Sequence, residues 1–168
     1  ALLSRGLGDV YKRQNIDGFI KQNRYASNGL DLNRDQTKLM AIESISIKQA
    51  FTDFNPAIAV DFHEYRPYRK DFAKMSDFGI TSVYDVMFLY SGNLNVPENI
   101  RSITDTLFVK NARSVMDNYE LKHHDYMSTT KHLGEIHFNQ GSTNARSSAT
   151  SYALNNTIST LIEIRGVG

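Results

Sequence analysis

Two short apolar runs carry ionisable residues in places where a core strand rarely holds them. Ala57 to Phe62 (AIAVDF) runs into Asp61-Phe62-His63-Glu64, and Ile158 to Ile164 encloses Glu163 in Leu161-Ile162-Glu163-Ile164-Arg165. Ionisable residues so placed are candidates for a functional site. Both residues also have a structural reading. His63 then serves as a hydrogen-bonded core histidine and Glu163 as the partner of a buried Arg, and each residue taken singly favours that reading. The positions are informative because ligands of open α/β sheets bind outside the carboxyl ends of the strands.

For these side chains to meet, the flanking elements must bring two strands together. Asn15 to Arg34 (NIDGFIKQNRYASNGLDLNR) is dense in Asn, Gly and Asp and reads as loop. Asp35 then caps a helix expected over Gln36 to Phe54, where Leu39, Ile42, Ile45 or Ile47, and Phe51 recur at helical spacing. Asn55-Pro56 closes that helix, and the following run is short enough to be a buried strand that delivers His63. Thr81 to Tyr90 and Glu98 to Tyr119 are expected as helices, the second with Ile100, Ile103, Leu107, Val115 and Met116 as its apolar stripe. Asn139 to Ser151 reads as loop leading into a helix, before the last strand, which carries Glu163. Strands alternating with helices predict an α/β sheet covered on both faces, with no internal repeat.

The third informative element is Asn-x-Asp-Gly at Asn15 to Gly18, followed by Arg24-Tyr-Ala-Ser-Asn-Gly-Leu-Asp-Leu-Asn-Arg-Asp35. This stretch resembles the zinc carboxypeptidase family (carboxypeptidase A-like), in which an Asn-Pro-Asp-Gly segment precedes an Arg that lies ten residues before the Arg of an Asp-x-Asn-Arg motif. Arg24 and Arg34 have that separation, and Ile16 stands in place of the usual Pro. The family continues with a strand ending in a histidine ligand and a late strand carrying a glutamate. His63 in VDFHEY and Glu163 in STLIEIRG match those places, so the resemblance covers nearly all of Asn15 to Gly168.

The resemblance implies an α/β fold with a partial mixed β-sheet flanked by helices, and zinc-dependent removal of C-terminal residues from peptides. His63 would be the third Zn2+ ligand, and Glu163 the general base that takes a proton from the metal-activated water and passes it to the leaving amine. Arg24 would polarise the scissile carbonyl. Asn33 and Arg34 would clamp the free C-terminal carboxylate of a peptide substrate, which a planar guanidinium can grip with two parallel bonds. Asp31 would orient one of the histidine ligands. The same resemblance implies a non-proline cis bond between Glu64 and Tyr65, and a span of about 4 to 7 Å between His63 and Glu163.

Departures from the pattern shape the rest of the reading. The family's first two ligands come from a His-x-x-Glu motif upstream of Asn-x-Asp-Gly, where this sequence has nothing comparable, so two further ligands are expected upstream and the chain by itself is expected to be inactive. Its one His-x-x-Glu, His132-Leu-Gly-Glu135, lies downstream of His63. His123-His124 reads as a solvated pair on a strand or loop, since neighbours on a strand point to opposite faces. At the place of the family's mobile tyrosine stands Gly141, with Tyr126 and Tyr152 as alternatives that the sequence does not separate. Arg146 falls near the segment lining the specificity pocket, which would favour an acidic C-terminal side chain. Two other functions share parts of the pattern: a zinc-dependent deacylase of small acylated amino acids, and a non-catalytic binding homologue.

Bulk properties narrow the classes. A chain of 168 residues with 40% hydrophobic content can bury one domain's core. Ala1 to Gln14 has no clean period and resembles translated adapter sequence, so it is set aside as a non-native tail, with residues 15–168 as the C-terminal part of the catalytic domain. Nineteen Lys and Arg against 18 Asp and Glu give a net charge of +1, without the basic footprint of a nucleic-acid partner. Tyr65 to Lys70 (YRPYRK) is an isolated cluster and does not change that. With no cysteine, thiolate nucleophiles and Cys-based zinc sites are excluded. No apolar run is long enough to span a bilayer, and the compartment stays open.

Overall fold

The structure, a computed structural model, describes residues 26–68, 72, 75, 77–141 and 143–166. The tail-like residues 1–14, the Asn15 to Gly18 motif and Arg24 lie outside the described residues. Along the chain come a 3-10 turn (Leu32–Arg34), α1 (Ile42–Phe54), β1 (Ile58–Tyr65) and β2 (Val86–Tyr90). A long helix follows, built as α2 (Glu98–Ile103), a π segment (Thr104–Val109) and α3 (Lys110–Asn118). After it come β3 (His123–Asp125), β4 (Ser128–His132), β5 (Glu135–Asn139), α4 (Ser148–Ala153) and β6 (Ile158–Arg165).

Four of these strands form a mixed sheet in the order β1-β6-β2-β3. β6 lies parallel to β1 and antiparallel to β2, and β2 is parallel to β3. β4 and β5 form a separate hairpin, turned through Leu133 and Gly134 at φ of 50° and 87°. Two successive residues with positive φ give the turn whose twist suits a tight hairpin. The fold is thus a mixed α/β arrangement with helices flanking a four-stranded sheet, as the sequence pattern predicts.

Side chains alternate across a strand, so the sheet has two distinct faces. On one, Val60, Val86, Phe88, Tyr90 and Ile162 pack against Phe108, Val109, Ala112 and Met116 of the long helix. Phe88 is fully buried there, which stabilises the fold by about 2 to 3 kcal/mol. On the other face, Leu89 and Leu161 meet Ala149 of α4 and the ring of Tyr126. α1 joins this layer through Phe51, which stacks on Tyr152 with ring centroids 4.4 Å apart.

Three expectations are corrected. Residues 81–90 do not form a helix: 81–84 have no regular structure and β2 occupies Val86–Tyr90. β2 is flanked by β6 and β3, and its residues Val86 to Leu89 are buried. A strand buried on both faces loses the alternation that would distinguish it from a helix. The first helix begins at Ile42 rather than Gln36, because Leu39 adopts a left-handed φ of 53° that no helix accommodates. Asp35 ties that entry together from a distance, accepting the N–H of Met40 at 3.0 Å and of Ala41 at 2.8 Å. Ile42 and Ile45 consequently point outward while Ser44 and Phe51 are buried. In the long helix, the π segment adds one residue to a turn and rotates the downstream face by about 100°. Leu107 and Val115 of the expected stripe are therefore exposed, and Phe108 and Val109 turn inward instead.

Candidate active site

The parallel register of β1 and β6 sets His63 directly beside Glu163, and residues so paired project from the same face. His63 Nδ1 lies 3.7 Å from Glu163 Oε1. That is slightly shorter than the expected span, and it brings the two sequence-predicted residues together. Asp61, two residues before His63 and on the same face, places Oδ2 3.0 Å from His63 Nε2. The first residue of α4 completes the cluster, with Ser148 Oγ donating to the same Asp61 oxygen at 2.6 Å. All of these side chains are largely withdrawn from solvent, with Ser148 buried and Met87, also buried, as the β2 neighbour of Glu163. Among the described residues, Glu163 has no Arg in ion-pair contact.

Burial alone would push the His63 imidazole toward its neutral form. The hydrogen bond of Asp61 and the charges of Asp61 and Glu163 outweigh that and push its pKa up to about 9. Without a metal, His63 is therefore an imidazolium held between two carboxylates. Ser148 bonds to Asp61 and not to the imidazole, so the two do not form a Ser-His nucleophile pair. The chemistry the cluster can support is proton transfer by Glu163 and, once the ring has lost its Nδ1 proton, donation of the Nδ1 lone pair by His63.

The remaining predicted residues sit on a neighbouring turn. Asp31 caps the Leu32–Arg34 turn, its Oδ1 accepting the Asn33 N–H at 3.0 Å. Arg34 is exposed and donates through NH1 to the Asn33 carbonyl at 2.8 Å. Asn33 Oδ1 is buried with no hydrogen-bond partner among the described residues. This turn adjoins the cluster through α4, since Ser151 Oγ reaches the Gln36 carbonyl at 3.4 Å. No direct bond between the turn and His63 or Glu163 is found among the described residues.

Other motifs are placed elsewhere. His132 and Glu135 face each other across the separate hairpin, exposed. His123 is half-buried rather than solvated, because Asp117 Oδ1 binds its Nε2 at 2.9 Å, while exposed His124 stacks on Tyr84 at 4.7 Å. Tyr152 is committed to its stack on Phe51. Tyr126 lies beside Gly141, where a Cβ would come 3.9 Å from its Cε1. Arg146 is exposed in the loop before α4. The Glu64-Tyr65 peptide bond is trans, contrary to the cis bond that the resemblance implies.

Sequence reasoning assigned no role to Asp61 or Ser148. Asp61 could have been found from its spacing, since a carboxylate two residues from a strand histidine shares its face. Ser148 carries no comparable signal, because only tertiary packing brings it near.

Comparison with known proteins supports a family. The chain is 31% identical over 164 residues to "Carboxypeptidase 2" of Trichophyton rubrum, covering 95% of this chain and 29% of that protein. It is 31% identical over 160 residues to "Probable carboxypeptidase 2" of Arthroderma benhamiae, covering 95% of this chain and 30% of the relative. These relatives support a carboxypeptidase-like family for the chain. A third relative, "Carboxypeptidase 2" of Trichophyton equinum, is 30% identical over 160 residues, again with 95% of this chain and 29% of the relative covered. The chain thus spans somewhat under a third of the length of these relatives. No family model and no solved structure matches it.

The cluster can be tested against the zinc that the resemblance implies. Its donor chemistry fits one ligand's part: His63 has one ring nitrogen tied to a carboxylate and the other facing a potential base, an arrangement that suits a ligating histidine. Among the described residues, no group of three or more His, Cys, Asp or Glu side chains could hold a metal. Further ligands must then come from outside the described residues.

Proposed function

We propose that this chain forms part of the catalytic domain of a zinc-dependent metallocarboxypeptidase, which removes C-terminal residues from peptides. The observation that carries this reading is the 3.7 Å approach of His63 Nδ1 to Glu163 Oε1 on one sheet face. The carboxypeptidase names of the relatives support it. His63 would hold the metal through Nδ1, together with ligands beyond those described. A zinc ion supplies Lewis-acid activation of water and of the scissile carbonyl.

Glu163 takes the proton from the attacking water and delivers it to the departing nitrogen, a task its position beside His63 suits. Asn33 and Arg34 receive the substrate's terminal carboxylate, Asn33 by donating from its side-chain amide nitrogen and Arg34 from its guanidinium. Arg24 holds the oxyanion as charge develops on it. Asp31 keeps the clamp turn folded through its bond to the Asn33 N–H, in addition to the ligand-orienting part that the resemblance assigns it.

The test is release of the C-terminal residue from a peptide by a protein that carries this chain together with the further ligands, before and after treatment with a zinc chelator. Turnover should stop on chelation and return with added zinc. Turnover that survives chelation would refute the zinc dependence, and hydrolysis confined to small acylated amino acids would assign the site to a deacylase.

A further inference from the structure

Asp61 has no place in the proton transfer or in the substrate clamp, yet it is the side chain most tightly joined to His63. It sits on β1 two residues before the histidine, 20% exposed, with Oδ2 3.0 Å from His63 Nε2. The same oxygen accepts Ser148 Oγ at 2.6 Å, and Ser148 is buried at the start of α4. A hydroxyl anchored in a helix therefore holds the carboxylate, and the carboxylate holds the ring. Glu163 also faces the imidazole, but its oxygen lies 3.7 Å from Nδ1 and so outside hydrogen-bond distance.

We propose that Asp61 is a positioning residue that keeps the neutral imidazole of His63 protonated at Nε2, so that the Nδ1 lone pair is presented toward Glu163, and that Ser148 fixes Asp61 in that role. Two carboxylates compete for one ring proton, and the nearer, helix-anchored one holds it. A carboxylate that fixes the tautomer and ring angle of a histidine makes the opposite nitrogen a better and better-aimed donor. The inference rests on the zinc reading for its purpose, but the proton's position can be measured without metal or substrate.

The experiment is nitrogen NMR of the ring of His63 in the metal-free chain, with the pH raised until the two ring nitrogen signals themselves show the imidazole to be neutral. The wild-type ring should carry its proton on Nε2. Asp61→Ala should shift the proton to Nδ1, toward the remaining Glu163 carboxylate, whereas Asp61→Asn, whose amide oxygen can still accept, should retain most of the Nε2-protonated form. Ser148→Ala should give a mixture, because Asp61 loses its anchor. A wild-type ring protonated at Nδ1 would overturn the proposal, and that reading needs no variant to fold. An unchanged proton distribution in a folded Asp61→Ala protein would overturn it too. Chelator-sensitive peptidase activity alongside either of those results would leave the zinc reading standing while removing Asp61 from it. The expected tautomer shift, with no peptidase activity even in a protein that carries this chain together with the further ligands, would do the reverse.

Discussion

Replacing Asp35 by Asn tests how the candidate clamp turn is held against the rest of the fold. Asp35 is 5% exposed, and its two oxygens accept the N–H groups of Met40 at 3.0 Å and Ala41 at 2.8 Å, fastening the Leu32–Arg34 turn to the entry of α1. Asparagine is nearly the same size, but it keeps one acceptor and turns an amide NH2 toward the other N–H. A hydrogen bond to a charged acceptor contributes about 1.5 to 3 kcal/mol, so the variant should lose about 2 to 3 kcal/mol at neutral pH. Burial alone would raise the Asp35 carboxyl pKa, but the N–H bonds from Met40 and Ala41 outweigh that and hold it below its ordinary 3.8. A folded-state pKa below the unfolded one means that the stabilisation is present above the unfolded value and fades as pH falls through the folded value. Urea denaturation followed by circular dichroism at pH 7 and at about pH 2 measures both effects, the gap between wild type and Asp35→Asn narrowing in acid. A gap under about 0.5 kcal/mol at neutral pH, or one that is the same at both pH values, would refute the reasoning.

Two further outcomes follow from the geometry. The chain by itself should retain far less than one zinc after dialysis, since its cluster offers zinc one imidazole where a catalytic site takes three protein ligands; one tightly held zinc per chain would mean that the missing ligands lie within the 168 residues. Phe88→Ala should cost about 3 to 5 kcal/mol and Leu107→Ala under about 0.5 kcal/mol in the same denaturation assay, because the π segment turns Leu107 outward to 64% exposure; comparable costs would show that the helix face had been misassigned.

Much of the fold was legible where one physical signal dominated. β1 and β6 announce themselves as short apolar runs, and the long helix as a repeating stripe that spans its whole length. The π segment was not legible, since Thr104 to Val109 has no composition that distinguishes it from an ordinary helical turn, and missing it misplaced Leu107 and Val115. β2 was misread because Val83, Met87 and Tyr90 also fit a helical spacing, and a strand covered on both faces shows no alternation to oppose it. At the site, His63 and Glu163 stood out because charges inside apolar strands are costly unless paired or used. Ser148 was invisible, being one more serine in a serine-rich loop until α4 packs against β1.

The central claim is that Glu163 moves protons next to a histidine that holds zinc, and Glu163→Gln in the zinc-loaded protein tests it most directly. The amide preserves the size and packing of the side chain between His63 and Met87 and removes only the base. Release of a C-terminal residue from a test peptide, measured with zinc content on the same sample, should fall on the order of hundreds-fold or more while the metal stays bound. Near-normal turnover in the purified variant would contradict the account.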